Sequence, residues 1–518
     1  MFKFVFVGFP LTDRKSQTAG DVLGPQTGSN LGCSFSTGNI EVSREFSFLH
    51  RKRKSISLVY GPNGFDEDGR WAVLNDRSVG PFHRIWNNHP VLLTVLAAFL
   101  VRLFVVLFVF HDQTNPADNH AQFGWEMGWV ARSIVQGHGF SSPFFPATGP
   151  TALVPPVFPY LLASIFHAFG LYTAKAAFAI LSINGLFSAL TCIPIYFSAR
   201  CALGDRVATL AVWGWALYPY SIYFSAARVW DYALTGLLFT ICFCVAQRLH
   251  DQKRPIAWLG FGVLYGVTIL ANPSVLPMFP VFLLLAVYQR RRAGGRWLVH
   301  SVVATLGALA ILTPWTIHNY RTLHVVRPIR DNFWMECWAG NNGDTFESNA
   351  KWAHPASSDV EMKRFVSIGE IPYLAEKQAL ATNFIRLHPV FFAGVSLRRA
   401  FCYWTGFWSF SPAYLQQEPL QNADIFFCTG MTLLMLFGAV SFWRRDRSGA
   451  LPYLVLIALF PLTYYVTHAS PDYRQPIEPE IIVLAVVGAG SLSRRLGGDI
   501  KRTRSVEDEV QMTEPTAV

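Results

Sequence analysis

The sequence predicts an all-α polytopic membrane protein, because apolar runs of helical length recur along the chain, few residues are charged, and basic residues cluster in alternate loops. Of the 518 residues, 15% are charged and 52% are hydrophobic, whereas an average soluble domain is about 25% charged. This composition excludes an intrinsically disordered chain and argues against an ordinary soluble enzyme. The spread of the apolar runs favours a lipid-facing bundle over several soluble cores.

The predicted bundle contains about ten transmembrane helices. A helix needs roughly 20 residues to cross about 30 Å of hydrocarbon. Several runs reach this length, and the shorter ones predict tilted or broken helices. The ten apolar runs cover residues 91–111, 174–197, 207–226, 233–246, 258–271, 275–288, 298–317, 425–443, 451–466 and 477–492.

Basic residues in the short loops predict the orientation of the bundle. Because positive charge concentrates in cytoplasmic loops, the alternation fits an even number of spans with both termini cytoplasmic. The net charge of +10 follows mostly from this topology and gives no reason to predict a nucleic-acid partner. The predicted inner loops carry Arg200, Arg206, Arg248, Lys253, Arg254, Arg290, Arg291, Arg292, Arg296, Arg444, Arg445, Arg447, Arg494 and Arg495.

The composition divides the chain into three parts. Residues 1–88 are rich in Ser, Gly, Asn and charge, and they predict a poorly ordered cytoplasmic extension or a start site assigned too early. Residues 89–495 form the predicted transmembrane domain. Residues 496–518 are polar and predict a disordered cytoplasmic tail.

Two predicted outer segments, about 112–173 and 318–424, are too long to be simple connections. Both mix Trp, Pro, Gly and charged residues, and long loops of this kind are usually functional or disordered. Their aromatic content argues against disorder. Helices over 161–169 and 391–410 are predicted to lie along the membrane surface.

The first polar cluster, residues 118–132, contains Asp118, Glu126 and Arg132. Glu126 lies among aromatic residues such as Trp125 and Trp129, and such surroundings raise the pKa of an acid and suit it to accept a proton near neutral pH. The structural alternative is an acid on a membrane-surface helix that pairs with Arg132.

A second candidate acid, Asp231, opens an apolar span after Trp230. An acid at a helix N-terminus can simply complement the helix dipole. However, an ionisable residue at membrane depth is a functional hypothesis by default. The sequence leaves both interpretations open.

Two further polar clusters carry arginine on the predicted outer side. Arginine and histidine can hold a phosphate by charge-assisted hydrogen bonds, whereas contact with lipid headgroups is the structural alternative. Arg474 is the only basic residue of its short outer loop, against the positive-inside trend, which favours a ligand role. The candidate residues of these clusters are His318, Tyr320, Arg321, Arg327, Arg330, Asn341, Tyr473 and Arg474.

The order of these clusters resembles the GT-C-fold integral-membrane glycosyltransferases, the superfamily of dolichyl-phosphate-mannose protein mannosyltransferases and the bacterial aminoarabinose transferase. The similarity is to its bacterial, family-39-like branch and covers residues from about 89 to 493. The stretches that carry it are GWEMGWVAR (124–132), TGPT (148–151), PPVFP (155–159), YPYSIY (218–223), NYR (319–321) and YRQPIEP (473–479).

The resemblance implies transfer of a sugar, with inversion, from a polyprenyl-phosphate donor at the periplasmic face of the bacterial inner membrane. It implies that Glu126, or alternatively Asp118, is the catalytic base and that Asp231 helps to position a substrate. Candidates for the donor phosphate are Arg321, Arg327, Arg330, Arg474 and His318. Candidates for substrate positioning are Arg132, Tyr320, Asn341 and Tyr473.

The expected partners are the lipid-linked donor, membrane lipids, and an acceptor that is a lipid, a glycan or a protein.

Two departures from the family pattern matter. Glu126 stands alone where many members carry an Asp-Glu pair, and Val154 precedes Pro155 where some relatives carry a phosphate-contacting Lys. The first loop contains no Asp-X-Asp motif, so we predict no metal and no cofactor.

Two alternatives use the same residues. A transporter or flippase of lipid-linked sugars usually places polar residues on broken helices at mid-membrane; Asn272–Pro273 is a candidate break, although it fits a tight outer turn better. A non-catalytic component of an envelope polysaccharide assembly would bind the lipid carrier without needing the acids.

Overall fold

The computed structural model describes residues 90–115, 123–345, 351–408 and 421–512, and these residues form helices and connecting loops without a β-strand. Residues from Thr94 onward belong to one compact unit. The first helices are α1 (Pro90–Phe104), α2 (Glu126–Val135), α3 (Val157–Phe169), α4 (Ala174–Leu190), α5 (Cys192–Leu203), α6 (Asp205–Ala216), α7 (Pro219–Ala226), α8 (Tyr232–Leu249), α9 (Pro255–Ala271) and α10 (Met278–Arg292). The later helices are α11 (Trp297–Leu323), α12 (Phe333–Gly340), α13 (Asp359–Ile368), α14 (Glu370–Leu387), α15 (Pro389–Thr405), α16 (Gln421–Arg445), α17 (Arg447–Leu459), α18 (Leu462–Val466) and α19 (Glu478–Met512).

Seven helical segments of the described chain are long and apolar enough to cross a membrane, which agrees with the predicted polytopic class. An eighth is added if α14 and α15, which meet at an angle of 103°, count as one broken span. The seven are Val91–Val109, Ala174–Leu203, Tyr232–Leu249, Pro273–Arg292, Trp297–Leu323, Asp424–Arg445 and Arg447–Val466.

Three of the ten predicted runs differ from the expected single spans. Run 207–226 is divided into α6 and α7, because Pro219 has no amide hydrogen and disfavours helix at the residue before it. Run 258–271 lies in α9, which is an apolar helix of only 17 residues. Run 477–492 is the first part of α19, which is not among the seven candidate spans.

The break between α6 and α7 is stabilised by Arg102, which is fully buried in the first span. Its guanidinium donates to Ala216 O at 3.0 Å and to Ser221 Oγ at 2.8 Å. The last carbonyls of a helix have no partner within the helix. Arg102 therefore supplies hydrogen bonds that α6 loses where it ends.

Helix α19 continues to Met512, past residue 496, from which the composition predicts a disordered tail. The stretch is rich in Lys, Arg, Glu and Gln, which have good intrinsic helix propensity. Polarity alone therefore does not separate a helix from a disordered tail.

Helices α16 and α19 approach each other at two glycines. A methyl group on Gly438 would overlap the carbonyl oxygen of Leu484, and one on Gly488 would overlap that of Leu434. Small residues permit such close backbone contact between membrane helices.

The substitution Gly438→Ala is therefore expected to destabilise the helix pair by about 1–3 kcal/mol, the usual cost of overpacking. Thermal unfolding in detergent measures the effect as a lower Tm. Gly430→Ala on the same helix is the matched control, because nothing lies within 4 Å of the added methyl group. Equal Tm values for the two variants would contradict the close contact.

The two long outer segments are joined by hydrogen bonds to residues 151–153. Glu370 of α14 accepts from Thr151 Oγ1 at 2.6 Å and from the amide of Ala152 at 2.7 Å. The Asp331 amide donates to Ala152 O at 2.9 Å. These bonds place the second outer segment directly against the first, and the candidate site lies where they meet.

Candidate active site

A cavity of about 310 Å³ lies between the connections that the sequence places on the outer side. We call it the acidic cavity because two of its lining residues are Glu126 and Glu336. Small-molecule sites usually have a volume of roughly 300–1,000 Å³ and a mainly apolar wall with a few polar groups. Its wall includes Trp125, Phe144, Val154, Trp230, Asn272, Ser274, Arg330, Asn332, Met335, His354, Tyr464, His468 and Tyr473.

Glu126 reaches this cavity because the chain turns sharply before α2. Gly124 and Trp125 both adopt positive φ, 102° and 50° respectively. Such a conformation is costly for Trp, and strain of this kind is often found at functional sites. The turn makes Glu126 the first residue of α2 and places it in the cavity wall.

The surroundings of Glu126 suit a proton acceptor. Burial raises the pKa of its carboxyl, and the facing Glu336 raises it further, while His354 and Arg330 act in the opposite direction. Glu126 forms no ion pair within the described chain. Arg132, its predicted structural partner, instead lies over the Trp129 ring at 5.3 Å from the ring centre.

Asp231 is buried, and its two neighbours along the chain, Trp230 and Tyr232, line the cavity. Burial raises the pKa of its carboxyl to about 7, although Arg330 and a hydrogen bond from Asn272 oppose the shift. Its Oδ1 atom has no hydrogen-bond partner. Asp231 thus connects the start of α8 to the charged groups of the cavity.

The raised pKa of Asp231 predicts a pH effect on stability. The folded protein keeps this proton up to a pKa of about 7, whereas an unfolded Asp loses it near 3.9. Stability should therefore fall as the pH rises from about 4 to about 7. Asp231→Asn removes this contribution, so its Tm should decline less than that of the wild type between pH 5 and pH 8. The exposed Asp251→Asn should behave like the wild type, and parallel declines in all three proteins would refute the assignment.

Arg330 is the cation of the acidic cavity. Its Nε donates to Leu153 O at 2.7 Å, which fixes the side chain against the first outer segment. Within the described residues no carboxylate lies within ion-pair distance of it. Its remaining guanidinium donors are therefore available to an anion in the cavity.

The wall of the cavity also contains Glu336, His354 and His468, which the sequence analysis did not name as candidate site residues. Glu336 stands alone in the aromatic run FWMECW (333–338). This is the same pattern that singled out Glu126, so the signal was present in the sequence. Tyr473, a predicted positioning residue, completes this wall.

The other predicted phosphate ligands are not brought to the acidic cavity. Arg327 pairs with Asp331, and His318 stacks on Trp315 with ring centres 4.6 Å apart. Arg321 and Tyr320 are exposed and do not line the cavity.

Arg474 is buried in an ion pair with Glu478 (3.0 and 3.1 Å), which forms across the turn between the short 3-10 helix Pro471–Arg474 and the start of α19. Asn341 connects α12 to the end of α18: its amide donates to Val466 O at 2.8 Å, and its oxygen accepts from Arg399 at 3.1 Å. Both residues are therefore occupied by contacts that stabilise the fold.

The geometry of the cavity does not test two predictions about the site, the role of Asp118 and the absence of a metal. Asp118 lies outside the described residues. Among the residues that the structure describes, no group of three or more His, Cys, Asp or Glu side chains is arranged to hold a metal ion.

Residues 153–318 match the model of the dolichyl-phosphate-mannose-protein mannosyltransferase family. No curated protein sequence matches the chain. The archaeal oligosaccharyltransferase AglB of Archaeoglobus fulgidus, in complex with an inhibitory peptide and a dolichol-phosphate, is a structural neighbour with 13% identity and a TM-score of 0.46. The alignment covers 84% of this chain and 53% of that one, so this chain spans about half of the neighbour's length.

ArnT of Cupriavidus metallidurans, bound to undecaprenyl phosphate, is a second neighbour with 14% identity and a TM-score of 0.35; the alignment covers 77% of this chain and 78% of that one. The matched stretch 153–318 contains Asp231 and Asn272, while Glu126, Arg330 and Glu336 lie outside it. The family match confirms the predicted resemblance to the superfamily that contains the dolichyl-phosphate-mannose protein mannosyltransferases.

Proposed function

We propose that this protein is a membrane glycosyltransferase that moves a sugar from a polyprenyl-phosphate donor to an acceptor hydroxyl. The observation that carries the proposal is the acidic cavity, which combines the Glu126 carboxyl with an Arg330 guanidinium that has no carboxylate partner in the described chain. The match of residues 153–318 to a lipid-phosphate-sugar transferase family supports the donor class.

In the proposed reaction the acceptor oxygen attacks the anomeric carbon while its proton passes to Glu126. The bond from this carbon to the donor phosphate breaks, and the phosphate leaves with the electron pair. Arg330 stabilises the charge that develops there, by an interaction that strengthens in the transition state. Attack from the face opposite the phosphate inverts the anomeric configuration.

We place this reaction on the periplasmic side of a bacterial inner membrane. Most residues that line the acidic cavity belong to connections that the positive-inside pattern assigns to the outer side, and Thr463 and Tyr464 lie near the end of the adjoining apolar run 451–466. Arg330 takes the role that a metal ion has in other phosphate-leaving reactions, so transfer is expected to proceed in the presence of a chelator. The acceptor is a lipid, a glycan or a protein.

The test is transfer by purified protein in proteoliposomes that contain undecaprenyl-phosphate sugars. Mass spectrometry of donor and acceptor should show loss of the sugar from the donor, release of undecaprenyl phosphate and a glycosylated acceptor. NMR of the product reports the anomeric configuration, and a strain lacking the gene identifies the acceptor through its missing envelope glycan. Movement of intact donor between leaflets would instead establish a flippase, and donor binding without either activity would establish a non-catalytic component.

A further inference from the structure

Glu336 is a second carboxylate of the acidic cavity, and it comes from α12 rather than from the first outer segment. Its Oε1 accepts a hydrogen bond from Asn332 Nδ2 at 2.8 Å. Its Oε2 lies 3.7 Å from His468 Nδ1, which is too long for a hydrogen bond. No lysine or arginine of the described chain pairs with it, so the carboxylate keeps free acceptor capacity toward the cavity.

The two glutamates of the cavity are driven toward different protonation states. Burial raises the pKa of Glu126. Burial acts in the same direction on Glu336, but His468, His354 and Arg330 outweigh it and lower the pKa of this carboxyl. Two acids whose surroundings separate their pKa values usually have separate roles. Glu126 is suited to take a proton, whereas Glu336 stays ionised and accepts hydrogen bonds.

The position of His468 is fixed by Tyr473. The Tyr473 hydroxyl lies 2.6 Å from His468 Nε2, and the Tyr473 ring stacks on Tyr464 with ring centres 4.6 Å apart. Burial raises the pKa of Tyr473 and lowers that of His468. Because His468 Nδ1 faces the Glu336 carboxylate, in the neutral form of the imidazole the proton is assigned to Nδ1, and Nε2 then accepts from the Tyr473 hydroxyl. We assign this tautomer from the hydrogen-bond network.

An ionised carboxylate repels a phosphate, so the donor phosphate is assigned to Arg330 and not to Glu336. Adjacent sugar hydroxyls, in contrast, can donate two hydrogen bonds to one carboxylate. The aromatic rings of Trp230 and Tyr464 line the same cavity and offer apolar surfaces to the ring of a sugar.

We propose that Glu336, with His468 and Tyr473 as positioning residues, binds hydroxyl groups of the glycosyl unit of the donor and thereby selects which neutral sugars are accepted. The inference rests on the proposed function and adds to it the substrate group that this wall recognises.

The experiment separates sugar binding from lipid-phosphate binding. Affinities of the full-length protein in nanodiscs are measured for undecaprenyl phosphate alone and for its glucosyl, mannosyl, galactosyl and arabinosyl forms. The ratio of the dissociation constant for the bare lipid to that for a glycosylated lipid defines the glycosyl increment of that sugar. In Glu336→Gln the increment of the preferred sugar should fall by about tenfold or more, while the affinity for undecaprenyl phosphate stays within about twofold. Glu376→Gln, a change outside the cavity, is the matched control.

Variants of His468 test the positioning role. The variant His468→Asn keeps an N–H donor near the place of Nδ1 and should retain most of the glycosyl increment. The variant His468→Leu should lose the increment, as Glu336→Gln does. Tyr473→Phe removes the hydroxyl that orients the ring and should reduce the increment without changing the order of sugar preference. Equal retention by His468→Asn and His468→Leu would overturn this part of the inference.

Three outcomes would overturn the role of Glu336: an unchanged increment in Glu336→Gln, an equal loss of affinity for undecaprenyl phosphate, or an effect on the acceptor KM alone. A Tm within a few degrees of the wild type shows that each variant is folded. If the wild type has a glycosyl increment that requires Glu336 but transfers no sugar, the inference holds and the proposed transferase function fails. If the wild type transfers sugar and Glu336→Gln keeps the increment, only the inference fails.

Discussion

Replacing Glu126 by glutamine is expected to lower sugar transfer by about 10²–10⁴-fold, the usual contribution of a general base. Glutamine has nearly the same shape but cannot take the acceptor proton. Because burial raises the pKa of Glu126, the wild-type kcat/KM should rise with pH through a value above the ordinary range of a glutamate. The variant should lack this rise of kcat/KM with pH. Initial rates of transfer between pH 4 and pH 9 measure both effects.

Two controls separate a chemical role of Glu126 from a structural one. The affinity of Glu126→Gln for undecaprenyl phosphate should match the wild type, because Glu126 is not a phosphate ligand in the proposed scheme. Glu376→Gln makes the same chemical change outside the cavity and should keep full activity. Undiminished transfer by Glu126→Gln would contradict its role as the base, and Asp118→Asn would then be the next variant to examine.

Replacing Arg330 by methionine should weaken the binding of undecaprenyl phosphate by about 10- to 100-fold, because hydrogen bonds to a charged group contribute more than neutral ones. The loss in kcat/KM should be larger than the loss in binding, since the charge on the leaving phosphate grows in the transition state. Arg330→Lys should give an intermediate loss of affinity, because lysine keeps the positive charge but cannot form the bidentate hydrogen bonds of a guanidinium. Titration of nanodiscs with undecaprenyl phosphate gives the affinities.

Arg321→Met is the matched control, because Arg321 was predicted as a phosphate ligand but is exposed outside the acidic cavity. Its donor affinity and transfer rate should equal those of the wild type. A loss in Arg321→Met that equals the loss in Arg330→Met would show that the phosphate binds outside the cavity. Arg474→Met is unsuitable as a control, since breaking its buried pair with Glu478 would destabilise the protein by about 3–5 kcal/mol.

The sequence predicted the class of fold, and it singled out Glu126, which lines the acidic cavity, more sharply than it singled out Arg330 among the arginines. Glu126 and Asp231 were identifiable because an acid is conspicuous among apolar residues. Arg474 was singled out as the only basic residue of its short outer loop, yet its charge is balanced by Glu478, four residues later. A charge pattern shows that a residue is unusual for its loop, but the partner that balances it is fixed only by the fold.

The grouping of Arg330 with Glu336 and His468 was not predictable from order along the chain. These residues stand in two segments separated by more than 120 positions, and hydrogen bonds such as that from the Asn341 amide to Val466 O bring the segments together. Arg327 and Arg330 lie three residues apart but have different surroundings. Arg330 donates to Leu153 O and lines the cavity, whereas Arg327 pairs with Asp331.

The buried arginine of the first span has a consequence for biosynthesis. Arg102 precedes Ala216, the carbonyl to which it donates, by 114 residues. At roughly 5–20 residues per second, a ribosome needs on the order of 5–25 s to add this stretch. During that interval the nascent first helix carries a charge that has Ala98 O of its own helix as a partner but not yet the partners in α6 and α7. Such a charge near the bilayer centre costs about 2.5–3.5 kcal/mol on insertion scales. Stable integration of this helix therefore depends on a segment that is translated much later.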